Sequence, residues 1–193
     1  MNCLECGAAM KVERGPYKAK EIGLPGIVLL NVEQRRCARC GETEVVIPHL
    51  DGLHRTIAGL LIRKPGGFTG AEVRFLRKFV GWSEEDFAGF AGVRRETISR
   101  WENGHEPIGP QSDAFLRAYV AHGKRIDDYQ AHDFGAAGKG RPVPLKLKLE
   151  PVPRGWAAAA PPTAHAVGHN ITPPAGAPDN LCAVAVRRLP FNS

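Results

Sequence analysis

Alternating apolar and polar residues predict three short strands in the first third of the chain. The runs are Met10–Arg14, Ile27–Val32 and Glu44–Ile47, and their lengths and branched side chains are typical of strands. Three strands of this size suit one small antiparallel sheet. In the C-terminal third, Leu145–Glu150 alternates in the same way. We expect it to form a docking strand within Val143–Trp156.

A helical period replaces this alternation in the middle of the chain. The predicted helices cover about residues 52–63, 69–80, 83–91, 94–103 and 111–122. Two of them begin at capping sequences, Thr69 with Glu72 and Ser83 with Asp86. Lys64-Pro-Gly-Gly67 interrupts the pattern after the first helix, and this break predicts a hinge or domain boundary.

Two copies of one metal-binding motif are present, Cys3-Leu-Glu-Cys6-Gly and Cys37-Ala-Arg-Cys40-Gly. Each turn can aim two thiolates at one point, and the glycine permits a tight backbone whose N–H groups face the sulfurs. Together they predict a tetrahedral four-cysteine Zn2+ site, one per chain, which is closed to substrate and therefore structural. One or two disulfides are an alternative, and a thioredoxin-like redox site is another. We expect Cys182 to be a bystander.

Composition limits the classes of protein that the chain can belong to. The net charge of +6 permits a nucleic-acid partner, although residues 66–123 carry a net charge of −1. No run approaches 18 apolar residues and no signal-peptide pattern opens the chain, which predicts a cytoplasmic protein with no membrane partner. Residues 142–193 contain 10 of the 16 prolines, so we expect a largely disordered tail.

One segment of the helical region resembles the Xre-type helix-turn-helix of phage repressors. The resemblance lies in Ser83-Glu-Glu-Asp-Phe-Ala, Ala91-Gly92-Val93 and Thr97-Ile98-Ser99-Arg100-Trp101-Glu102-Asn103-Gly104. A tight turn at Gly92 sets two helices at a steep angle, so the second can enter the major groove of DNA. With the cysteine motifs and the first helix, the chain resembles the MqsA-type antitoxins over about residues 1–122. These proteins fuse a YgiT-type zinc domain to an Xre-type domain.

The resemblance implies a function in a type II toxin–antitoxin system. Such proteins neutralise an RNA-cleaving toxin encoded beside them, usually through the zinc domain. They form homodimers and repress their own operon by binding double-stranded operator DNA. They are not enzymes, and their zinc is structural. A different class of function, a stand-alone zinc-containing Xre-family transcriptional regulator without a toxin, fits the same sequence.

The resemblance also implies which side chains contact DNA. Glu96 and Arg100 are expected to read bases, with further contacts from Arg94, Arg95, Thr97 and Ser99. A surface ion pair between Glu96 and Arg100 is the alternative reading of that spacing. Glu84 stands where such domains commonly place a glutamine on phosphate, and a carboxylate there repels DNA. Arg77 and Glu102 match a helix-bridging ion pair, so we assign them a structural role.

These expectations define an α+β fold. A small N-terminal β-rich domain with bound zinc and its following helix would occupy residues 1–66. An all-α helix-turn-helix domain of the phage-repressor type would occupy residues 67–123, and the Pro/Ala-rich tail residues 124–193. We expect removal of zinc to unfold residues 1–48 while the helical domain persists.

Overall fold

The computed structural model describes residues 1–123 and 140–159, and the backbone of residues 184–187. It confirms the predicted α+β class: a β-rich region that carries the cysteines precedes a helix-turn-helix region. The predictions for residues 124–139, 160–183 and 188–193, and for Cys182, lie outside the described residues.

The three predicted strands and five predicted helices are all present. The strands are Met10–Lys18 (β1), Ile27–Cys37 (β2), Thr43–Ile47 (β3), Leu147–Val152 (β4), Gly155–Ala158 (β5) and Val184–Arg187 (β6). The helices are Leu50–Arg63 (α1), Gly70–Val80 (α2), Glu84–Ala91 (α3), Arg95–Glu102 (α4) and Pro110–Gly123 (α5). A single 3₁₀ turn, Lys20–Ile22, lies between β1 and β2.

One sheet collects all of these strands around β2. The strand order is β5-β4-β2-β3-β6, in which β4 and β3 pair with successive parts of β2. The remaining strand, β1, pairs with the opposite edge of β2. The first part of β2, Ile27–Leu29, pairs in parallel with β4, whereas Glu33–Arg36 pairs antiparallel with β3. Asn31, between these two parts, has a left-handed backbone with φ of 53°. The predicted docking strand is therefore confirmed, and a second strand, β5, continues from it.

The sheet and the helices share one hydrophobic core. Leu29 of the sheet, Ile57 of α1 and Leu116 of α5 are fully buried in the same cluster as Phe87 of α3. Leu147 and Leu149 of β4, Trp156 of β5 and Phe68, which precedes α2, join this cluster as well. The division into domains at residue 66 stays a prediction, since residues on both sides of it contribute to this core.

The break after α1, predicted as a hinge, is a tightly bonded turn. The fully buried guanidinium of Arg117 donates to the carbonyl oxygens of Ile62, Lys64 and Gly66 at 2.7 to 3.0 Å. Its Nε donates to Asp113 Oδ1 at 2.5 Å. Carbonyl groups at the end of a helix have no partner within that helix, and here a charged donor from α5 satisfies them. The junction is therefore held to α5 rather than free to bend.

Residues 141–158, which we call the strap, bind this junction from the outside. Lys64 Nζ is buried and donates to Glu72 Oε2 at 2.5 Å and to Val143 O at 2.8 Å. Glu72 Oε1 accepts from the amide of Leu145 at 3.0 Å. Burial lowers the pKa of Lys64, while the carboxylate of Glu72 opposes that change. One ion pair thus joins the end of α1, the start of α2 and the strap.

Trp156 fixes the far end of the strap. Its indole Nε1 donates to Pro48 O at 2.9 Å, and its own carbonyl accepts from Thr56 Oγ1 of α1 at 3.3 Å. The ring is buried in the shared core. Through Trp156 the strap is therefore bonded both to the segment between β3 and α1 and to α1 itself.

Trp156→Ala should lower the free energy of unfolding by about 3–5 kcal/mol, because it empties a large buried site and removes an indole hydrogen bond. Urea denaturation followed by circular dichroism measures the change. Val152→Ala, at an exposed position on the neighbouring strand, is the control and should change stability little. Equal and small effects of both substitutions would mean that the strap does not dock.

Candidate metal centre and DNA-binding helix

The four N-terminal cysteines converge on one point. Cys3 Sγ lies 3.5 Å from Cys40 Sγ, and Cys6 Sγ lies 3.5 Å from Cys37 Sγ. All four sulfur atoms lie within 4.8 Å of one another. In a tetrahedral site with metal–sulfur bonds of about 2.3 Å, the sulfurs are about 3.8 Å apart. The four thiols are free, and the cluster fits one tetrahedral metal ion, such as zinc.

The two halves of this centre have the same local geometry. Gly7 and Gly41 follow the second cysteine of each motif, with φ of 72° and 77°. Their amides donate to Cys3 O at 2.9 Å and Cys37 O at 3.0 Å. A residue with a Cβ is strained in this left-handed conformation, which accounts for glycine at both positions. The tight backbone predicted at the glycine of each cysteine motif is therefore confirmed.

Backbone N–H groups, neighbouring thiols and burial together shift the pKa values of the cysteines. The N–H of Cys40, helped by that of Arg39 and opposed by burial, lowers the pKa of Cys37 to about 6. An N–H from Glu42 acts in the same direction on Cys40, but the bond to Cys3 and burial outweigh it and raise the pKa of Cys40 to about 12. A bound cation would displace the remaining thiol protons, so metal binding releases protons.

The metal centre lies outside the main core. Cys3 and Cys37 are buried with Met10 in a small separate cluster. His54 is half-buried on α1, with its ring centroid 5.9 Å from that of Phe75. Burial lowers the pKa of His54. His49 is the N-cap of α1, and the cluster that could hold a metal contains neither histidine.

Removing the metal with a chelator, or replacing Cys37 by serine, should expose the amides of residues 1–12 and 34–43 to hydrogen exchange. The small cluster around the thiols buries too little apolar surface to hold that end of the sheet without the metal. The helices α2 to α5 should remain protected, since they pack in the main core. Cys182→Ser is the matched control. Full amide protection of residues 1–12 in metal-free protein would contradict this assignment.

A helix-turn-helix occupies the opposite half of the molecule. Ser83 caps α3, with its Oγ accepting from the amide of Asp86 at 3.0 Å, as predicted. Gly92, with φ of 65°, ends α3 and allows the chain to turn into α4. Ile98 and Trp101 are buried, so α4 rests on the core through one face and leaves the other to solvent. This is the arrangement in which the second helix enters the major groove.

A buried carboxylate anchors α4 to α2. Glu102 accepts from Arg77 Nε at 2.5 Å and Nη2 at 3.0 Å, and from Arg74 Nε at 3.0 Å. Burial alone would raise the pKa of Glu102, but Arg77 and then Arg74 hold it below its ordinary value. The predicted ion pair between Arg77 and Glu102 is present. Sequence analysis did not predict the contact of Arg74 with Glu102. Arg74 is an exposed arginine about one turn before Arg77 on α2, and nothing in the sequence indicates its partner.

Gly70, which sequence analysis also missed, permits the close approach of these helices. A Cβ added to Gly70 would lie 2.4 Å from Trp101 O and 2.5 Å from Glu102 O. The start of α2 therefore meets the carboxyl end of α4 backbone to backbone. A glycine at a helix start is also common without any such contact, so the sequence alone does not reveal this role.

The six side chains predicted to contact DNA lie on or beside the outer part of α4. Arg94, Arg95, Glu96 and Arg100 are exposed, and Thr97 and Ser99 are half-buried. Among the ion pairs of the described residues, none joins Glu96 to Arg100, whereas Arg95 is paired with Glu84 and Glu85 of α3.

No helix in the described part of the chain is long and apolar enough to span a membrane. No curated protein and no solved structure shows a significant match to the chain. The model of one protein family, described as helix-turn-helix, matches residues 73–111, which extend from α2 to the start of α5. That segment is similar to a family of DNA-binding regulators, and the chain carries the DNA-binding module of a transcription regulator.

Proposed function

We propose that this protein is the antitoxin of a type II toxin–antitoxin system and the repressor of its own operon. In this proposal α4 reads operator DNA in the cytoplasm, the metal-bearing sheet neutralises an RNA-cleaving toxin, and the chain itself catalyses no reaction. The observation that carries the proposal is the joint presence of a four-cysteine cluster and a helix-turn-helix in one chain. The resemblance to MqsA-type antitoxins supports the toxin-binding part.

The metal in this proposal is one structural Zn2+ per chain. Four cysteine sulfurs suit zinc and leave no position open for substrate. The backbone N–H groups that face Cys37 stabilise its thiolate, which is the form that zinc requires. Elemental analysis of protein purified without added metal should find one zinc ion per chain. Iron in place of zinc would contradict the assignment.

Sequence reading is assigned to Arg100 and Glu96, which are one helical turn apart on α4. A guanidinium can donate two hydrogen bonds to guanine O6 and N7, and a carboxylate can accept from cytosine N4. Both side chains are exposed and neither is held by the ion pairs of the described residues. Arg94 precedes the helix and is assigned to phosphate.

Arg100→Ala should abolish discrimination at one base position, a loss of about 1–3 kcal/mol. The measurement compares its binding, at fixed salt, to a duplex selected by the wild-type protein and to a scrambled duplex. Arg94→Ala is the control, and it should weaken both duplexes alike and make the salt dependence less steep. If Arg100→Ala weakens both duplexes by the same factor, Arg100 is a backbone contact and the reading face is elsewhere.

The outer edge of β1 is assigned to the toxin. In the described residues β6 covers β3 and β5 covers β4, while β1 pairs with β2 alone. The amide of Met10 points away from β2, since it donates to Met1 O at 3.2 Å. Strand alternation places the amide of Val12 on the same free edge. Val12 is also 51% exposed, so a partner strand can add there.

Cells that express the toxin encoded by the adjacent gene should not be rescued by the full chain with Val12→Pro. Proline removes the outward amide of residue 12 but leaves the hydrogen bonds between β1 and β2 in place. Val12→Thr retains the amide and should rescue growth. DNA binding by Val12→Pro verifies that the protein is folded. Full rescue by the proline variant would refute the assignment of this edge.

The homodimer is assigned to an aromatic surface formed by Trp82, Phe90, Phe115 and Tyr119. Trp82 lies 4.7 Å from Phe90 and 4.1 Å from Tyr119 between ring centroids. Phe90 is 56% exposed and Phe115 is 36% exposed. Leu116 and Val120, which lie on the same helix as Phe115 and Tyr119, are buried in the core. A contiguous set of rings, two exposed and two half-buried, suits a two-fold contact between copies.

Phe115→Glu should convert the dimer into a monomer and weaken operator binding. A monomer cannot contact both half-sites of the operator, which lie about 34 Å apart. Mass measured in solution at micromolar concentration tests this, with Val152→Glu at an exposed position on β4 as control. A wild-type protein that is monomeric both free and on DNA would contradict the assignment.

The alternative function is that of a stand-alone transcriptional regulator without a toxin. A co-purification experiment distinguishes this function from that of an antitoxin. A tagged full-length chain should retain the product of the adjacent gene through washing. If it retains none and still represses its promoter, the regulator without a toxin is the correct function.

A further inference from the structure

Acidic residues occupy the first turn of α3, where it faces the start of α4. Arg95 Nε lies 3.1 Å from Glu84 Oε2 and 2.9 Å from Glu85 Oε1. The same donor thus meets two carboxylates from the neighbouring helix, although the arginine side chain remains 61% exposed. The hydrogen bond to Glu84, reinforced by the charge of Glu85, raises the pKa of Arg95.

This contact distinguishes Arg95 from Arg94 and Arg100, the two other arginines predicted to contact DNA. Arg94 and Arg100 are exposed and take part in none of the ion pairs of the described residues. The two carboxylates hold the Nε–H of Arg95 against α3 and partly neutralise its positive charge. A DNA phosphate therefore competes with them for the position and charge of this guanidinium.

The carboxylates also occupy a position that would otherwise attract DNA. The positive end of a helix dipole favours phosphate at the start of a helix. In α3 this turn carries Glu84, Glu85 and Asp86 instead, and Asp86 accepts from the amide of Ser83 at 2.8 Å. The three carboxylates therefore oppose a backbone phosphate at the start of this helix.

We propose that Glu84 and Glu85 withhold Arg95 from the phosphate backbone and thereby weaken binding to DNA of arbitrary sequence. The inference rests on the DNA-binding role of α4. Complexes with arbitrary sequences depend on phosphate contacts, so the loss of one cation affects them directly. Base contacts from other residues carry the sequence information. The acidic turn thus acts as a specificity determinant although it reads no base.

The first test is the double substitution Glu84→Gln and Glu85→Gln in the full chain, measured against a scrambled duplex over a range of salt. Affinity should rise roughly threefold to tenfold, the size expected when two exposed ion pairs are lost. The slope of log affinity against log salt should steepen by about 0.9, the value for one additional phosphate contact. Glu150→Gln, an exposed position on β4, is the control. A rise no larger than that of the control would overturn the proposal.

The second test separates competition for Arg95 from simple charge repulsion. The same glutamine pair is introduced into an Arg95→Ala background. If the carboxylates act by holding Arg95, their removal should have a smaller effect there, because no cation remains to be released. If they act only by repelling DNA, the effect should be equal or larger, since the carboxylates are then unpaired. An equal or larger effect overturns the proposal.

A third measurement requires no DNA. The Nε–H resonance of Arg95 should exchange more slowly with water than that of Arg100 in the free protein, and the glutamine pair should remove this difference. Rapid exchange of Arg95 in the wild type would overturn the proposal. Protein that shows this protection yet binds no duplex would refute the assigned role of α4 instead, so the two failures are distinguishable.

Discussion

The buried guanidinium of Arg117 determines how the two halves of this molecule are joined. It bonds three carbonyl groups at the end of α1 and the following turn, and a carboxylate on its own helix. It also lies over the ring of Phe68 at 4.2 Å. Removing either partner of such a pair leaves an uncompensated buried charge, which typically costs about 3–5 kcal/mol. The path from sheet to helix-turn-helix is therefore fixed by charge as well as by apolar packing.

A second buried charge network positions the helix that faces DNA. Glu102 receives two arginines from α2, and Gly70 lets the carboxyl end of α4 lie directly against the start of that helix. The strap reaches the same start through Glu72. Polar groups that would be costly in isolation are thus paired between elements, and each pair specifies one relative position of two helices.

Local signals in the sequence predicted most of the elements and one of the two sites. The cysteine motifs, the cap at Ser83 and the glycine at position 92 act over a few residues, so their geometry follows from residue type alone. The pairing of β4 with the first part of β2 joins residues more than 100 positions apart, and alternation does not specify a partner strand. The contacts of Arg117 and Arg95 were missed for a related reason. An arginine is usually exposed, and its partners depend on how helices pack.

The parallel pairing of β4 with β2 has a consequence for synthesis of the chain. The cysteine-bearing segments are synthesised before the helices, yet the sheet to which they belong lacks a strand until residues 147–149 have been made. By then the whole helix-turn-helix has already emerged. Closing such a long loop is slow relative to forming hairpins and helices. The nascent protein therefore passes through a stage in which the edge of β2 at Ile27–Leu29 is bare, and completion of the C-terminal segment ends that stage.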